Sequence, residues 1–546
     1  MYNKERRDFL MFKKVFNKFS KNSSTKKAPL VLVILDGWGM APSWGGNAIT
    51  LASTPTFDKL WRNYPSTTLQ ASGPAVGLPE GAPGNSEAGH INIGAGKIVH
   101  QDISVIDERI ENGEFDTNPV LIEAVEHANK SDGNIHLMGL LSDTGTHSHI
   151  RHLEAILKFC QKHNFKRVYI HLFSDGRDSD PMYGIELIGK VNKLLETTGV
   201  GVVESIMGRF YAMDRDNRWG RTARAYNCLV KSEAEAVNNP NEAFSKSYAV
   251  GTTDEFIEPK IVSTKEKHFI SIKDNDSIII FNFRFDRINQ LVDCFLKDNI
   301  PEFPDRKKLK NIFVSSLASG SDQPDFKTII PAEIIQTPLA KVLSDKGLLQ
   351  MHIAETEKFP HVTYFINGGR EKPFLNESRI SLPSPKVRTY DLAPEMNAKG
   401  VLGALVKEMD RGKTDFYVVN FANPDMVGHT GNLKATMQAV TFVDQCLGRL
   451  ILDAQSLKGT VVICADHGNA EQMVSPQTGD PDTEHSLNPV PFILVNDELS
   501  SKVTLSANGS LSNIAPTILD LLQIDRPSDM KSKESLIVRK AENESM

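Results

Sequence analysis

The chain has 546 residues, long enough for more than one domain, and its 40% hydrophobic and 24% charged composition is that of a soluble globular protein. No run of 18 or more apolar residues occurs, which excludes an ordinary transmembrane helix and stable membrane insertion. The net charge of −6 is uneven: residues 1–28 carry nine Lys/Arg against Glu5 and Asp8, so the tail is +7 and the remainder −13, an acidic body not expected to bind nucleic acid.

The tail owes its charge to Lys4, Arg6, Arg7, Lys13, Lys14, Lys18, Lys21, Lys26 and Lys27, and Phe12, Val15, Phe16 and Phe19 would share one face of a helix. It could therefore lie on a membrane surface or serve in targeting. A disordered basic extension is expected, with Met11 available as an alternative translation start. Five cysteines (Cys160, Cys228, Cys294, Cys446 and Cys464) are scattered without CxxC spacing, which predicts buried free thiols in a reducing, cytoplasmic setting and no thiolate metal site.

Pro29 to Leu35 is a continuous apolar run, the pattern of a strand buried on both faces of a parallel sheet. Asp36 sits just past its end, where ligands gather in open α/β sheets. Ala48 to Trp61 has the pattern of one helix. The run Gly84-Asn85-Ser86-Glu87-Ala88-Gly89-His90 then sets a single hydroxyl among small residues. A serine hydroxyl is a poor nucleophile at neutral pH and needs an adjacent base or a metal. No lysine or arginine lies within the run, which points to metal.

After about Gly96 the character changes. Strand-like runs (Ile135 to Leu140, Val168 to Phe173, Gly201 to Ile206, Ser277 to Phe283) alternate with helical stretches and predict a second α/β unit over residues 101–333. Its polar residues fall at strand ends: His147-Ser148-His149, Asp175-Gly176-Arg177-Asp178, then Arg209 and Arg215. Arginine forks with a histidine and a carboxylate suit a small, anionic, hydroxylated substrate. Arg284 and Arg287, after the strand at 278–281, are placed to converge on one phosphate.

The return crossing is expected near Pro331 to Pro338, followed by a helix from Leu339 to Lys346 and a strand at Met351 to Ile353. Lys358 follows. Asp415 to Phe421 is another buried strand, ending near Asp425 and His429. Thr460 to Cys464 ends in Asp466-His467, His485 comes next, and Val490 to Val495 is expected to close the sheet.

Asp36, Ser86, Asp425, His429, Asp466, His467 and His485 are seven candidate ligands, three carboxylates, three imidazoles and a hydroxyl, enough for two ions. Oxygen and imidazole donors without thiolate fit Mn²⁺, Zn²⁺ or Mg²⁺. Two divalent ions balance three carboxylates and a serine alkoxide, so a bound phosphate needs further cations, for which Arg284, Arg287 and Lys358 are available. This balance predicts phosphoryl transfer.

With those residues in place, the chain resembles the cofactor-independent phosphoglycerate mutases over about residues 29–537. The resemblance rests on LDGWG at Asp36, GNSEAGH at Ser86, THSH at His147, SDGRD at Arg177 and Asp178, GRFYAMDRD at Arg209 and Arg215, FRFDR at Arg284 and Arg287, EKFPHVTYF at Lys358, NPDMVGHTG at Asp425 and His429, ADHGNAE at Asp466 and His467, and TEHS at His485. Ala88 stands where valine is usual. The resemblance implies an alkaline-phosphatase-like metal domain (29–100 and 334–537) with a substrate-binding domain (101–333) inserted into it. It implies one ion held by Asp425, His429 and His485 and another by Asp36, Ser86, Asp466 and His467, with two Mn²⁺ expected and Mg²⁺, Co²⁺ or Zn²⁺ as substitutes.

It further implies that His147, Arg177, Asp178, Arg209 and Arg215 hold a glycerate, that Asp178 and His147 serve as acid and base, and that 3- and 2-phosphoglycerate interconvert through a phosphoserine at Ser86. A monomer is expected. A phosphatase, sulfatase or phosphopentomutase would keep the metals but lack the HSH and SDGRD clusters, and the pentomutase would carry threonine at position 86. An inactive scaffold would have lost ligands.

Overall fold

A computed structural model describes residues 28–265, 268–284, 287–317, 323–331, 335–476, 478–530 and 533–540. Residues 1–27 of the basic extension, Phe285-Asp286 of the FRFDR run and residues 332–334 of the expected return crossing lie outside these residues. The chain divides into two compact units, one comprising Met1–Val99 and Ile334–Met546 and the other His100–Glu333.

In chain order, the strands of the two large sheets are β1 (Leu30–Leu35), β2 (Ser66–Gln70), β3 (Ile135–Leu141), β4 (Val168–Ser174), β5 (Val202–Gly208), β6 (Glu235–Val237), β7 (Lys260–Val262) and β8 (Ser277–Ile280). Then come β9 (Phe313–Ser316), β10 (Phe326–Thr328), β11 (Gln350–Glu355), β12 (Glu377–Leu382), β13 (Phe416–Phe421), β14 (Thr460–Cys464), β15 (Val490–Val495) and β16 (Gly509–Ser510).

The first unit holds the order β12-β11-β13-β1-β14-β15-β2-β16. β1 lies at its middle, parallel to β13 on one side and β14 on the other, and every residue of LVLVIL is buried. That accounts for the unbroken apolar run: a strand covered on both faces has no solvent side to alternate toward. β15 is also fully buried, but it lies inside the sheet, antiparallel to β14 on one side and to β2 on the other, and does not close it as expected. β2 and β16 lie beyond it. The reversal brings the start of β15, with His485 just upstream, to the edge where β1, β13 and β14 end.

The single helix expected from Ala48 to Trp61 is two, Ala48–Leu51 and Pro55–Asn63. Pro55 has no N–H to continue the first helix and pushes the preceding residue away from helical angles, and Thr54 sits at φ −125°, ψ 51°.

The second unit holds β10-β9-β8-β3-β4-β5-β7-β6, parallel throughout except where β5 meets β7. β8 ends at Ile280, earlier than the expected Phe283. Both units are therefore α/β with mainly parallel sheets. All five cysteines are buried and unpaired, as expected. Among the described residues, no helix is long and apolar enough to cross a membrane.

Candidate metal centre and arginine cluster

In the first unit the polar residues gather beyond the ends of β1, β11, β13 and β14. Ser86 opens the helix Ser86–Ala95, whose N-cap Asn85 accepts a hydrogen bond from Ala88 N–H. Gly89 lets that helix lie against the β14 end, since a Cβ there would stand 2.6 Å from the Asp466 carbonyl oxygen. Ser86 Oγ lies 2.7 Å from Lys358 Nζ, 2.9 Å from His467 Nε2 and 3.5 Å from Asp36 Oδ1. Lys358 Nζ is also 2.6 Å from Asp36 Oδ1 and 2.5 Å from Asp425 Oδ2. With 4% of the residue exposed, this ammonium is tolerable only because two carboxylates face it.

Asp425 lies in the helical turn Asn423–Gly428 after β13, which puts His429 one turn on and on the same side. His429 Nδ1 meets the Thr483 carbonyl at 2.8 Å and His485 Nδ1 meets the Gly84 carbonyl at 2.8 Å. A carbonyl only accepts, so both Nδ1 atoms carry protons and both Nε2 atoms present lone pairs. Those two Nε2 atoms are 3.1 Å apart and each is 3.3 Å from Asp425 Oδ1. Three acceptors facing one another repel unless positive charge lies among them. Burial opposes protonation of His429, yet Asp425 and the Thr483 carbonyl raise its pKa, so the triad draws a proton or a cation.

Next to it, Asp36, Asp466 and His467 present ligand atoms within 4.8 Å of one another, as do Asp425, His467 and His485. Asp466 Oδ1 accepts from the N–H groups of Gly37 (3.2 Å) and His467 (3.1 Å). Its buried Oδ2 has no hydrogen-bond partner, although His90 Nδ1 stands 3.2 Å away. The His90 proton is directed instead at the Ser86 carbonyl, 2.9 Å away.

The electrostatics follow from burial and crowding. Burial and the neighbouring Asp466 push the Asp36 carboxyl up to about 7, against the pull of Lys358. Asp425 and Asp466 stay far below the usual carboxylate range despite burial, through Lys358 and His467 respectively. Burial takes His467 down to about 4, so at neutral pH its ring is uncharged and able to ligate. Lys358 is held above the ordinary lysine range, in spite of burial, by Asp36 and Asp425. An orphaned carboxylate oxygen, converging imidazole lone pairs and a donor set of oxygen and nitrogen fit two hard or borderline divalent cations.

All seven candidate ligands and Lys358 thus come together. Supporting groups with no individual sequence signal surround them. Asn469 Nδ2 donates to Asp425 Oδ1 at 2.8 Å, and Glu471 Oε2 accepts from the N–H groups of Gly39 (3.0 Å) and Asn469 (2.9 Å). Asn420, on β13, donates to Asp36 Oδ2 at 2.6 Å. Glu471 and Asn469 sit inside the ADHGNAE run, which marks them in the sequence. Asn420 has only apolar neighbours in its strand.

In the second unit the expected residues follow the parallel strands β3, β4 and β5. Buried Arg209, after β5, places Nη1 at 2.6 Å from Asp175 Oδ1 and 2.5 Å from Asp178 Oδ2. His147 Nε2, after β3, is 3.4 Å from Asp178 Oδ2. Burial alone would raise the Asp178 carboxyl, but Arg209 and His147 hold it below its usual range, so it is ionised at neutral pH. Arg209 Nη2 is buried without a partner. Arg177, Arg209, Arg215 and Arg287 line a cavity of ≈ 160 Å³ with Asp214 and Glu255. Arg177 is half exposed, 3.6 Å from Glu255 Oε1. Arg284 follows β8 and is not among the residues lining that cavity.

Residues 28–526 match the model of the metalloenzyme superfamily. The chain is 45% identical over 504 residues to a 2,3-bisphosphoglycerate-independent phosphoglycerate mutase of Clostridioides difficile, covering 92% of this chain and 98% of the relative. The chain belongs to the 2,3-bisphosphoglycerate-independent phosphoglycerate mutases. A family member from Methanosarcina acetivorans is 44% identical over 513 residues, 94% of this chain and 99% of its own length. A crystal structure of Leishmania mexicana phosphoglycerate mutase at low cobalt concentration superposes with a TM-score of 0.72 at 28% identity, covering 95% of this chain and 99% of that one. Family membership makes the chain an isomerase of the metalloenzyme superfamily.

Proposed function

We propose that the chain interconverts 3-phosphoglycerate and 2-phosphoglycerate by way of a phosphoserine at Ser86, with no bisphosphoglycerate. The observation that carries this reading is the setting of Ser86 Oγ, 2.7 Å from the Lys358 ammonium and 2.9 Å from His467 Nε2. Asp425, His429 and His485 would hold one divalent ion and Asp36, Ser86, Asp466 and His467 the other, with Mn²⁺ the expected metal and Mg²⁺, Co²⁺ or Zn²⁺ possible in its place. When bound, such ions stabilise the serine alkoxide and withdraw charge from the phosphoryl oxygens.

The chain's own groups do the rest. Lys358 Nζ donates to Ser86 Oγ and favours the deprotonated oxygen, and the first turn of the Ser86 helix favours negative charge at the same end. The Oγ–P bond forms as the bond from phosphorus to the 3-oxygen breaks. The glycerate stays on the second unit, its carboxylate against Arg177, Arg209 and Arg215 and its hydroxyls against Asp178 and His147. The departing 3-oxygen takes a proton from His147, ionised Asp178 accepts the proton of the 2-hydroxyl, whose oxygen then takes the phosphoryl group and frees Ser86, and Asp178 returns that proton to His147. Arg284, Arg287 and Lys358 neutralise the phosphate in transit.

This reading makes residues 29–100 with 334–537 a metal-binding, alkaline-phosphatase-like domain and residues 101–333 an inserted substrate domain, in a monomeric cytoplasmic enzyme of glycolysis and gluconeogenesis. The test is transfer of labelled phosphate from 3- to 2-phosphoglycerate with unlabelled phosphate in excess and no bisphosphoglycerate. Full retention of label is expected, with loss of turnover in chelator and recovery with Mn²⁺. Dilution of the label, a need for bisphosphoglycerate or indifference to chelator would contradict the proposal.

A further inference from the structure

Asn420 is fully buried near the end of β13, flanked along the strand by apolar side chains, and stands opposite Ile34 in the register of β1. Its Nδ2 donates to Asp36 Oδ2 at 2.6 Å and meets His90 Nε2 at 3.1 Å. Its Oδ1 is buried with no hydrogen-bond partner. An amide whose acceptor goes unused while both contacts need a donor is there for its two N–H bonds.

The second contact fixes more than itself. An N–H pointing at His90 Nε2 requires a lone pair on that nitrogen, so the ring proton sits on Nδ1. From Nδ1 it reaches the Ser86 carbonyl at 2.9 Å, with Asp466 Oδ2 at 3.2 Å. One amide therefore touches both ends of the serine's surroundings: the carboxylate just past β1 directly, and the helix carrying Ser86 through His90.

We propose that Asn420 is the positioning residue for the nucleophile, its two amide hydrogens setting the Asp36 carboxylate and, through the His90 ring, the first turn that carries Ser86. This rests on the reading of Ser86 as nucleophile and of Asp36 and Asp466 as ligands beside it. Groups that orient ligands from behind typically change metal affinity about 10- to 100-fold when removed.

The test begins with metal-free wild type carrying ¹⁵N-labelled histidine, the His90 signals being assigned by their loss in His90→Gln. The Nδ1–H tautomer, with the lone pair on Nε2, is expected; the Nε2–H tautomer would overturn the proposal. In Asn420→Ala, kcat should fall about 10- to 100-fold while KM for 3-phosphoglycerate changes by less than about threefold, and calorimetry should show Mn²⁺ binding weakened about 10- to 100-fold. Asn420→Ser, which keeps one donor, should recover part of both. Unchanged kcat and Mn²⁺ affinity in folded Asn420→Ala would overturn the proposal, and if that variant fails to fold the wild-type ring proton still decides. Wild type lacking mutase activity, with the Nδ1 proton in place, would sink the functional reading and leave the role of Asn420 in fixing Asp36 and His90 standing.

Discussion

The two units place polar residues at the same kind of location, the ends of parallel strands, and fill it with opposite charge. In the first, Asp36, Asp425, Asp466 and His467 are each no more than 1% exposed, and their lone pairs face one another with the Lys358 ammonium among them. In the second, guanidinium groups join the carboxylates, and the setting is wetter at Arg177, whose side chain is 53% exposed, than at buried Arg209. Buried lone pairs at such density call for cations held in fixed geometry. Partly solvated arginines suit an organic anion that must arrive, turn and leave.

The comparison is strained hardest at Lys358. Replacing it with methionine keeps the bulk but leaves Asp36 and Asp425 without their buried partner, and should lower kcat about 10²- to 10³-fold, in line with removing one donor aimed at developing charge. Steady-state kinetics at saturating Mn²⁺ checks this. Wild-type turnover would mean that the metals alone balance the site.

On the other side, Arg177→Ala should raise KM for 3-phosphoglycerate about 10- to 100-fold, the worth of one charge-assisted contact, with little change in thermal unfolding because that side chain is half solvated. A change in kcat with KM untouched would place Arg177 outside ground-state binding.

The smallest effect is one of pH, and it isolates what burial does where no cation answers it. Glu355, the last residue of β11, is 1% exposed and its Oε2 has no hydrogen-bond partner. Burial pushes its carboxyl from the ordinary 4.5 up to about 7. The folded state therefore holds a proton that the unfolded chain releases, so this residue's penalty is absent below pH 4.5, grows as pH rises and is complete above about 7. In chelator-treated protein, denaturant titrations should show Glu355→Gln gaining on wild type across that window by up to ~3 kcal/mol. Parallel stability curves would show that Glu355 is relieved by a neighbour, as Asp425 is by Lys358.

Much of this site could be read from sequence because its ligands follow long apolar runs. A strand covered on both faces announces itself, and the polar residue that ends it is then conspicuous, as with Asp36 after LVLVIL and Asp466 after TVVIC. Where that contrast fades, so does legibility. β2 is mostly polar (STTLQ) and β12 is half-buried (ESRISL), so neither stood out as a strand. The apolar run of β15 gives burial but not direction, and its reversal appears only in the pairing. Asn420 is hidden differently: one amide within FYVVNF looks like an accident of the core until Asp36 and His90 are seen on either side of it. Pro55, by contrast, is a visible break within the Ala48–Trp61 pattern, masked by the helical periodicity on either side of it.

The covalent role of Ser86 is the claim on which the rest depends. Acid quench of the Mn²⁺-loaded enzyme during turnover of 3-phosphoglycerate, followed by peptide mass spectrometry, should find phosphate on Ser86, with none anywhere in Ser86→Ala, whose mutase activity should be lost. Phosphate on a different side chain, or mutase turnover persisting in Ser86→Ala, would contradict the account.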